Sequence, residues 1–126
     1  MMNNRGLVSV LILTWLLTGC EGNPVQQEIS AADYGYEPNS DSTRQNAEKY
    51  ILSTLLDPYS AVIQCGQPTK GWVNRAFKNS YGYLLKCTVN AKNKFGGYTG
   101  VTKSFFWIHD ESMTILEPPF EFEAVP

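Results

Sequence analysis

Histidine is almost missing from this 126-residue chain, which has one, His109, and three cysteines, Cys20, Cys65 and Cys87. No His/Cys/Asp cluster has the spacing of a metal site, so no metal is expected. The nucleophile-elbow, phosphate-loop and zincin patterns are missing as well. His109-Asp110-Glu111 is a short ionisable string, but neighbours on a strand point apart. Nothing places Asp57 and Glu111 together as a carboxylate pair. The expectation is a protein that is not an enzyme, with no catalytic residues, no cofactor and no evident small-molecule substrate. No apolar run reaches the roughly 20 residues of an ordinary spanning helix. The length excludes a second ordinary domain. A formal net charge of -2 offers no global attraction to nucleic acid, and no recognition motif is present.

What is there begins with a processing signal. Arg5 is followed by an apolar run over residues 7–17, then Leu17-Thr18-Gly19-Cys20. A positive start, a short apolar core and a small-residue exit make a secretory signal. Leu17-Thr18-Gly19-Cys20 resembles the bacterial lipobox. That resemblance implies cleavage between Gly19 and Cys20, a diacylglyceryl group on the Cys20 thiol and acylation of the new amine. Several acyl chains hold a protein durably where one does not. The alternative is an ordinary signal peptide with an incidental cysteine. Glu21 follows the cysteine, where enteric-type sorting resembles retention in the inner membrane only for Asp. The expected location is therefore the outer membrane, lipid-anchored and facing the periplasm.

The domain layout follows. Residues 1–19 read as the lipoprotein signal peptide, 20–41 as lipid anchor and flexible tether, and 42–126 as one small α+β domain. The tether has Gly, Pro, Asn and Ser and few bulky aliphatics. Tyr34 and Tyr36 are its exceptions, residues that dock on the domain or meet a partner. Ser42-Thr43-Arg44-Gln45 fits a capping box with Ser42 as N-cap. Ala47, Tyr50, Ile51 and Leu55 then recur at helical spacing, widened by Leu52 and Leu56. Pro58 disfavours helical geometry at the residue before it, so the helix is predicted over 43–56.

The remainder reads as strands over 59–65, 72–78, 81–91, 98–108 and 113–116, with a turn opening at Asn79-Ser80 and regular structure ending at Pro118-Pro119. The clearest is 81–91, where Tyr81, Tyr83, Leu85, Cys87, Val89 and Ala91 share one face. The expected fold is α+β, one N-terminal helix packed on an antiparallel sheet of about four to five strands. Cys65 and Cys87 both fall on predicted inward faces. Export places them in an oxidising compartment, which favours a disulfide; two buried free thiols are the alternative.

Asp57-Pro58-Tyr59-Ser60-Ala61 is followed downstream by Cys87-Thr88-Val89-Asn90-Ala91-Lys92-Asn93-Lys94-Phe95-Gly96-Gly97-Tyr98-Thr99-Gly100. This resembles a signature of small exported bacterial lipoprotein-like proteins. Their helix ends in Asp-Pro-x-Ser-Ala, and a Cys-x-Val-Asn-Ala-Lys-Asn-x-Phe-Gly-Gly-Tyr-x-Gly segment follows. The resemblance covers about residues 45–108. Thr88 departs from it, since Gly often follows the cysteine. It implies export and fold and supplies no catalytic residues.

The segment over 90–100 reads either as a tight reversal, with Asn90 and Asn93 capping backbone groups, or as a binding loop. In the second reading Lys92 and Lys94 offer charge, and Phe95 and Tyr98 offer flat apolar surface. Seven basic residues and no acid lie between Pro58 and His109, whereas five acids and no base follow from Asp110. Either the terminal acids pair with the lysines of the sheet, or one sheet face is basic and meets an anionic partner. Phe105, Phe106, Trp107 and Ile108 make both faces of their stretch apolar, so one face is left for a partner or a second sheet. The functional expectation is a lipid-anchored envelope protein. It binds another envelope protein through Lys92, Lys94, Phe95, Tyr98 and Trp107, as an accessory or structural component of an envelope or secretion assembly. The rival is a periplasmic inhibitor or binder of a soluble enzyme such as a cell-wall hydrolase.

Overall fold

The computed structural model describes residues 22–126, so Cys20 and the expected leader lie outside the described residues. Helices α1 (Gln26–Ala31) and α2 (Ser40–Thr54) precede a 3-10 turn at Pro58–Ser60. Six strands follow: β1 (Val62–Cys65), β2 (Thr69–Arg75), β3 (Lys78–Asn90), β4 (Thr102–His109), β5 (Ser112–Ile115) and β6 (Glu121–Ala124). The fold is α+β with one main helix on an antiparallel sheet, and the sheet has six strands rather than four to five. The order is β5-β4-β3-β2-β6, and β1 pairs with the far half of β3.

Helix α2 starts three residues before the expected position. The Asn39 side chain accepts from Ser42 N at 3.0 Å, doing the work assigned to Ser42. Thr43, Ala47 and Ile51, each four residues apart, form its buried stripe. Leu52 and Leu56, expected to widen that stripe, are exposed. The helix ends at Thr54, because Leu55 turns extended with ψ 145°.

β3 organises the core. Tyr83, Leu85, Cys87 and Val89 alternate onto the α2 side, where Phe106 and Ile108 of β4 join them. Cys65 stands directly opposite Cys87 with Cα atoms 4.0 Å apart, and the two form a disulfide. The turn expected at Asn79-Ser80 falls instead at Ala76-Phe77. Asn79 and Ser80 pair within the sheet, opposite Asn74 and Val73.

The stretch read as a tether carries structure. It contains α1, and Tyr34 is only 7% exposed. Tyr34 meets Tyr81 edge-on at 5.6 Å, lies 4.6 Å under the Lys70 ammonium, and donates its hydroxyl to Ile29 O at 2.8 Å. Asn79 Nδ2 donates to Gly22 O at 2.8 Å, and Pro24 is buried. Residues 22–34 thus cover the part of this face beyond α2. A composition poor in aliphatics hid this, because one tyrosine, Tyr34, and one proline, Pro24, supply the buried contact. Burial pushes the Tyr34 phenol above its ordinary value of 10.0. The unfolded chain therefore releases this proton before the fold does. The contribution is whole below pH 10 and is lost as the pH rises through the folded value. The urea midpoint is expected to fall above pH 10, and to fall less in Tyr34→Phe.

On the face turned away from α2, Phe105 meets Phe120 at 5.1 Å and Trp107 meets Phe122 at 6.3 Å, both edge-on. Gly71 and Gly82, a register pair, form the floor below them. A Cβ at Gly82 would lie 3.1 Å from the Trp107 ring and closer still to Ile108 O. Gly82→Ala is expected to cost about 1–3 kcal/mol through this overlap, read as a lower urea midpoint.

Candidate functional site

Five exposed large apolar side chains, Tyr59, Val62, Phe95, Tyr98 and Val101, lie on segments at the end of β3 that carries Asn90. Three segments meet there: the 3-10 turn, β1 and the loop between β3 and β4. Asn93 shapes the loop. Its Oδ1 accepts from Phe95 N at 2.9 Å and Gly97 N at 3.3 Å, while its N–H donates to Gly97 O at 2.8 Å. Gly96 has φ +80°, in the left-handed region that a glycine enters without strain. Lys92 and Tyr98 pair across the reversal. The loop is fastened to the turn by Lys92 N donating to Ser60 Oγ at 3.0 Å and Tyr98 Oη donating to Ser60 O at 3.3 Å.

Four of the five expected contact residues come together here. The Lys92 ammonium sits 5.5 Å from the Tyr98 ring centroid, and Lys94 sits 5.2 Å from that of Phe95. Both lie within reach of a cation–π attraction. Phe95 is 84% exposed at the loop tip. Trp107 is elsewhere: it lies mid-sheet, opposite Leu84 and against Phe122.

The sequence reading missed Tyr59, Val62 and Val101. Tyr59 is 100% exposed beside Ser60. Val62, Tyr98 and Val101 line a shallow groove with Gln64, Thr88 and Asn90. Asn90 Oδ1 is buried and has no hydrogen-bond partner among the described residues, which leaves an acceptor beside the groove. The signal for Val62 was present, since it broke the alternation of its strand with an apolar residue on the outer face.

Charge divides unevenly between the sheet faces, with Lys70 on the α2 side over Tyr34. Lys86 and Lys103 stand opposite Phe105 and Thr88, on the face away from α2. Glu121 and Glu123 stand opposite Asn74 and Trp72, which alternate to the other face. Among the described residues no lysine of the sheet forms an ion pair with the terminal acids. Among the described residues Arg44 pairs with Asp41, and His109 lies near Asp33 and Asp110. His109 Nδ1 lies 2.9 Å from Tyr81 O, so that nitrogen carries the proton and donates. Its Nε2 lies 3.8 Å from Asp33 and 3.7 Å from Asp110. Asp110 Oδ1 also accepts from Tyr36 N at 2.9 Å, tying the N-terminal segment to the β4–β5 turn. Burial, then the Glu111 and Asp110 carboxylates, hold the Tyr36 phenol above its ordinary value. Asp57 and Glu111 lie toward opposite ends of β3, so they form no pair.

Compared with protein-family models, curated proteins and solved structures, the chain matches none.

Proposed function

We propose that the chain is a lipid-anchored cell-envelope protein, held through Cys20 in the outer membrane and facing the periplasm. It binds another envelope protein through the end formed by Tyr59, Val62, Lys92, Lys94, Phe95, Tyr98 and Val101. The observation that carries this reading is the exposure of so many large apolar side chains at one end of a small domain. An end of a small domain that exposes several large apolar side chains is a candidate contact surface. Aromatic side chains with lysine ammonium groups near their rings suit a protein partner, since aromatics anchor interface centres. The role is that of an accessory or structural component of an envelope or secretion assembly. A projecting loop with Phe95 at its tip also suits a cleft, which favours as second reading an inhibitor of a soluble periplasmic enzyme.

The test is in-cell crosslinking of the full chain, affinity capture and mass spectrometry, with Cys20→Ser, Phe95→Ser and Tyr98→Ala alongside. Truncating a central aromatic anchor removes roughly 1–2 kcal/mol or more of binding. Recovery of one reproducible envelope partner is therefore expected to fall about tenfold in the Phe95 and Tyr98 variants, and to fall in Cys20→Ser. A soluble enzyme captured equally well with Cys20→Ser selects the inhibitor reading. Monomer alone in every sample sinks both.

A further inference from the structure

The β2–β3 hairpin lies at the opposite end of β3 from the loop described above. Its two turn residues, Ala76 and Phe77, hold φ of 52° and 65°. Turns of this hand favour Asn-Gly or Asp-Gly, because an L side chain is strained in the left-handed region. Phe77 is nonetheless there, and it is 71% exposed. Neither turn chemistry nor packing accounts for it, and such outliers are where function is worth seeking. Arg75 and Lys78 flank it as a register pair, both exposed. Glu121, in register with Asn74, is the acid that β6 brings toward this end. It alternates to the α2 face, whereas Arg75 and Lys78 alternate away from it.

The position of this tip gives it a partner. The hydrogen bond from Asn79 Nδ2 to Gly22 O fixes the start of the described chain beside the hairpin. Cys20 is two residues earlier, and covalent geometry keeps it within about 8 Å of Gly22. An acyl chain on Cys20 thus brings the hairpin tip to the bilayer surface. We propose that this tip is a membrane-contact element. Phe77 enters the headgroup–acyl boundary, and Arg75 and Lys78 engage anionic headgroups. The proposal rests on the reading of Cys20 as the lipidated residue. Several acyl chains on Cys20 already retain the chain, and the tip adds contact with anionic lipid at the surface. It also sets orientation: the 13 residues of β3 reach roughly 40 Å, which points the Phe95 loop away from the membrane.

The experiment is amide hydrogen exchange on the mature full chain, bound to vesicles of phosphatidylethanolamine and phosphatidylglycerol, and separately in detergent. Residues 75–78 are expected to exchange several-fold more slowly on the vesicles, with residues 92–98 unchanged. Phe77→Asn keeps a residue that tolerates the left-handed turn and removes the ring, so it is expected to abolish the slowing. Arg75→Gln with Lys78→Gln is expected to abolish it on these vesicles as well. Equal exchange of the turn in both media, or slowing that survives Phe77→Asn, overturns the proposal. The intact mass decides the lipid separately. If Cys20 is unmodified, the lipoprotein reading fails, and the same chain is coupled through Cys20 to a maleimide-headgroup lipid and measured again. Slowing of residues 75–78 in that coupled form upholds the hairpin contact, and unchanged exchange overturns it.

Discussion

Replacing both Cys65 and Cys87 by Ala is expected to lower the unfolding free energy by about 2–4 kcal/mol. The bridge spans a sequence separation of 22, and opening such a loop returns conformational freedom to the unfolded chain. The native side adds to the loss. Cys87 is fully buried in the core beside Leu85 and Val89, and the smaller side chain leaves space there. β1 feels the change most, because it has four residues and a single strand partner, β3. Urea denaturation of the double variant and of the reduced parent chain checks this. The two midpoints should fall together, with the variant slightly lower. An unchanged midpoint in both would show that β1 and β3 hold without the bridge.

Phe106→Ala carries the larger single effect, about 3–5 kcal/mol. Phe106 is 2% exposed and lies between Leu85 of β3 and Ile115 of β5, with Tyr50 of α2 edge-on at 5.9 Å. Its loss opens a cavity under the helix where three elements converge. Its neighbour Phe105 points to the other face and meets Phe120 there, half-buried. Phe105→Ala is expected to cost about 1–2 kcal/mol, in proportion to the smaller area withdrawn from water. Equilibrium unfolding of the pair measures the difference. Equal losses would contradict the assignment of the two faces.

That contrast also shows where sequence patterning is informative and where it stops. The alternation over Tyr81–Ala91 identified β3 and its inner face, because a strand with one buried side repeats its apolar residues every second position. The helix was legible from Ala47 and Ile51 for the same reason at a period of 3.6. Its ends were not, since Asn39, Ser40 and Ser42 all suit a cap and only the chain's path selects among them. β6 was hidden behind Pro118-Pro119, where four residues with Phe122 as their single large apolar side chain give too short a pattern. The Ala76-Phe77 turn carried no Gly, Asn or Asp, so Asn79-Ser80 drew the reading three residues downstream. Strand pairing overrode local preference there.

For the candidate site, Lys92, Lys94, Phe95 and Tyr98 were legible because they crowd one glycine-rich reversal. Tyr59, Val62 and Val101 join them only through the pairing of β1 with β3 and the anchoring of the loop on Ser60. Trp107 was grouped with them on composition, and register sends it to the middle of the sheet.

The sequence by itself determined the α+β class, the main helix, the inward placement of Cys65 and Cys87 and the loop of lysines and aromatics. Each is a local matter of period, spacing or turn residues. Tertiary structure alone decided that residues 22–34 belong to the core face, that Gly71 and Gly82 pair beneath Trp107 and Phe122, and that the hairpin and the Phe95 loop stand at opposite ends of β3. Those facts depend on which distant segments meet, and pairing between segments is settled by the burial and hydrogen bonding of the whole sheet at once.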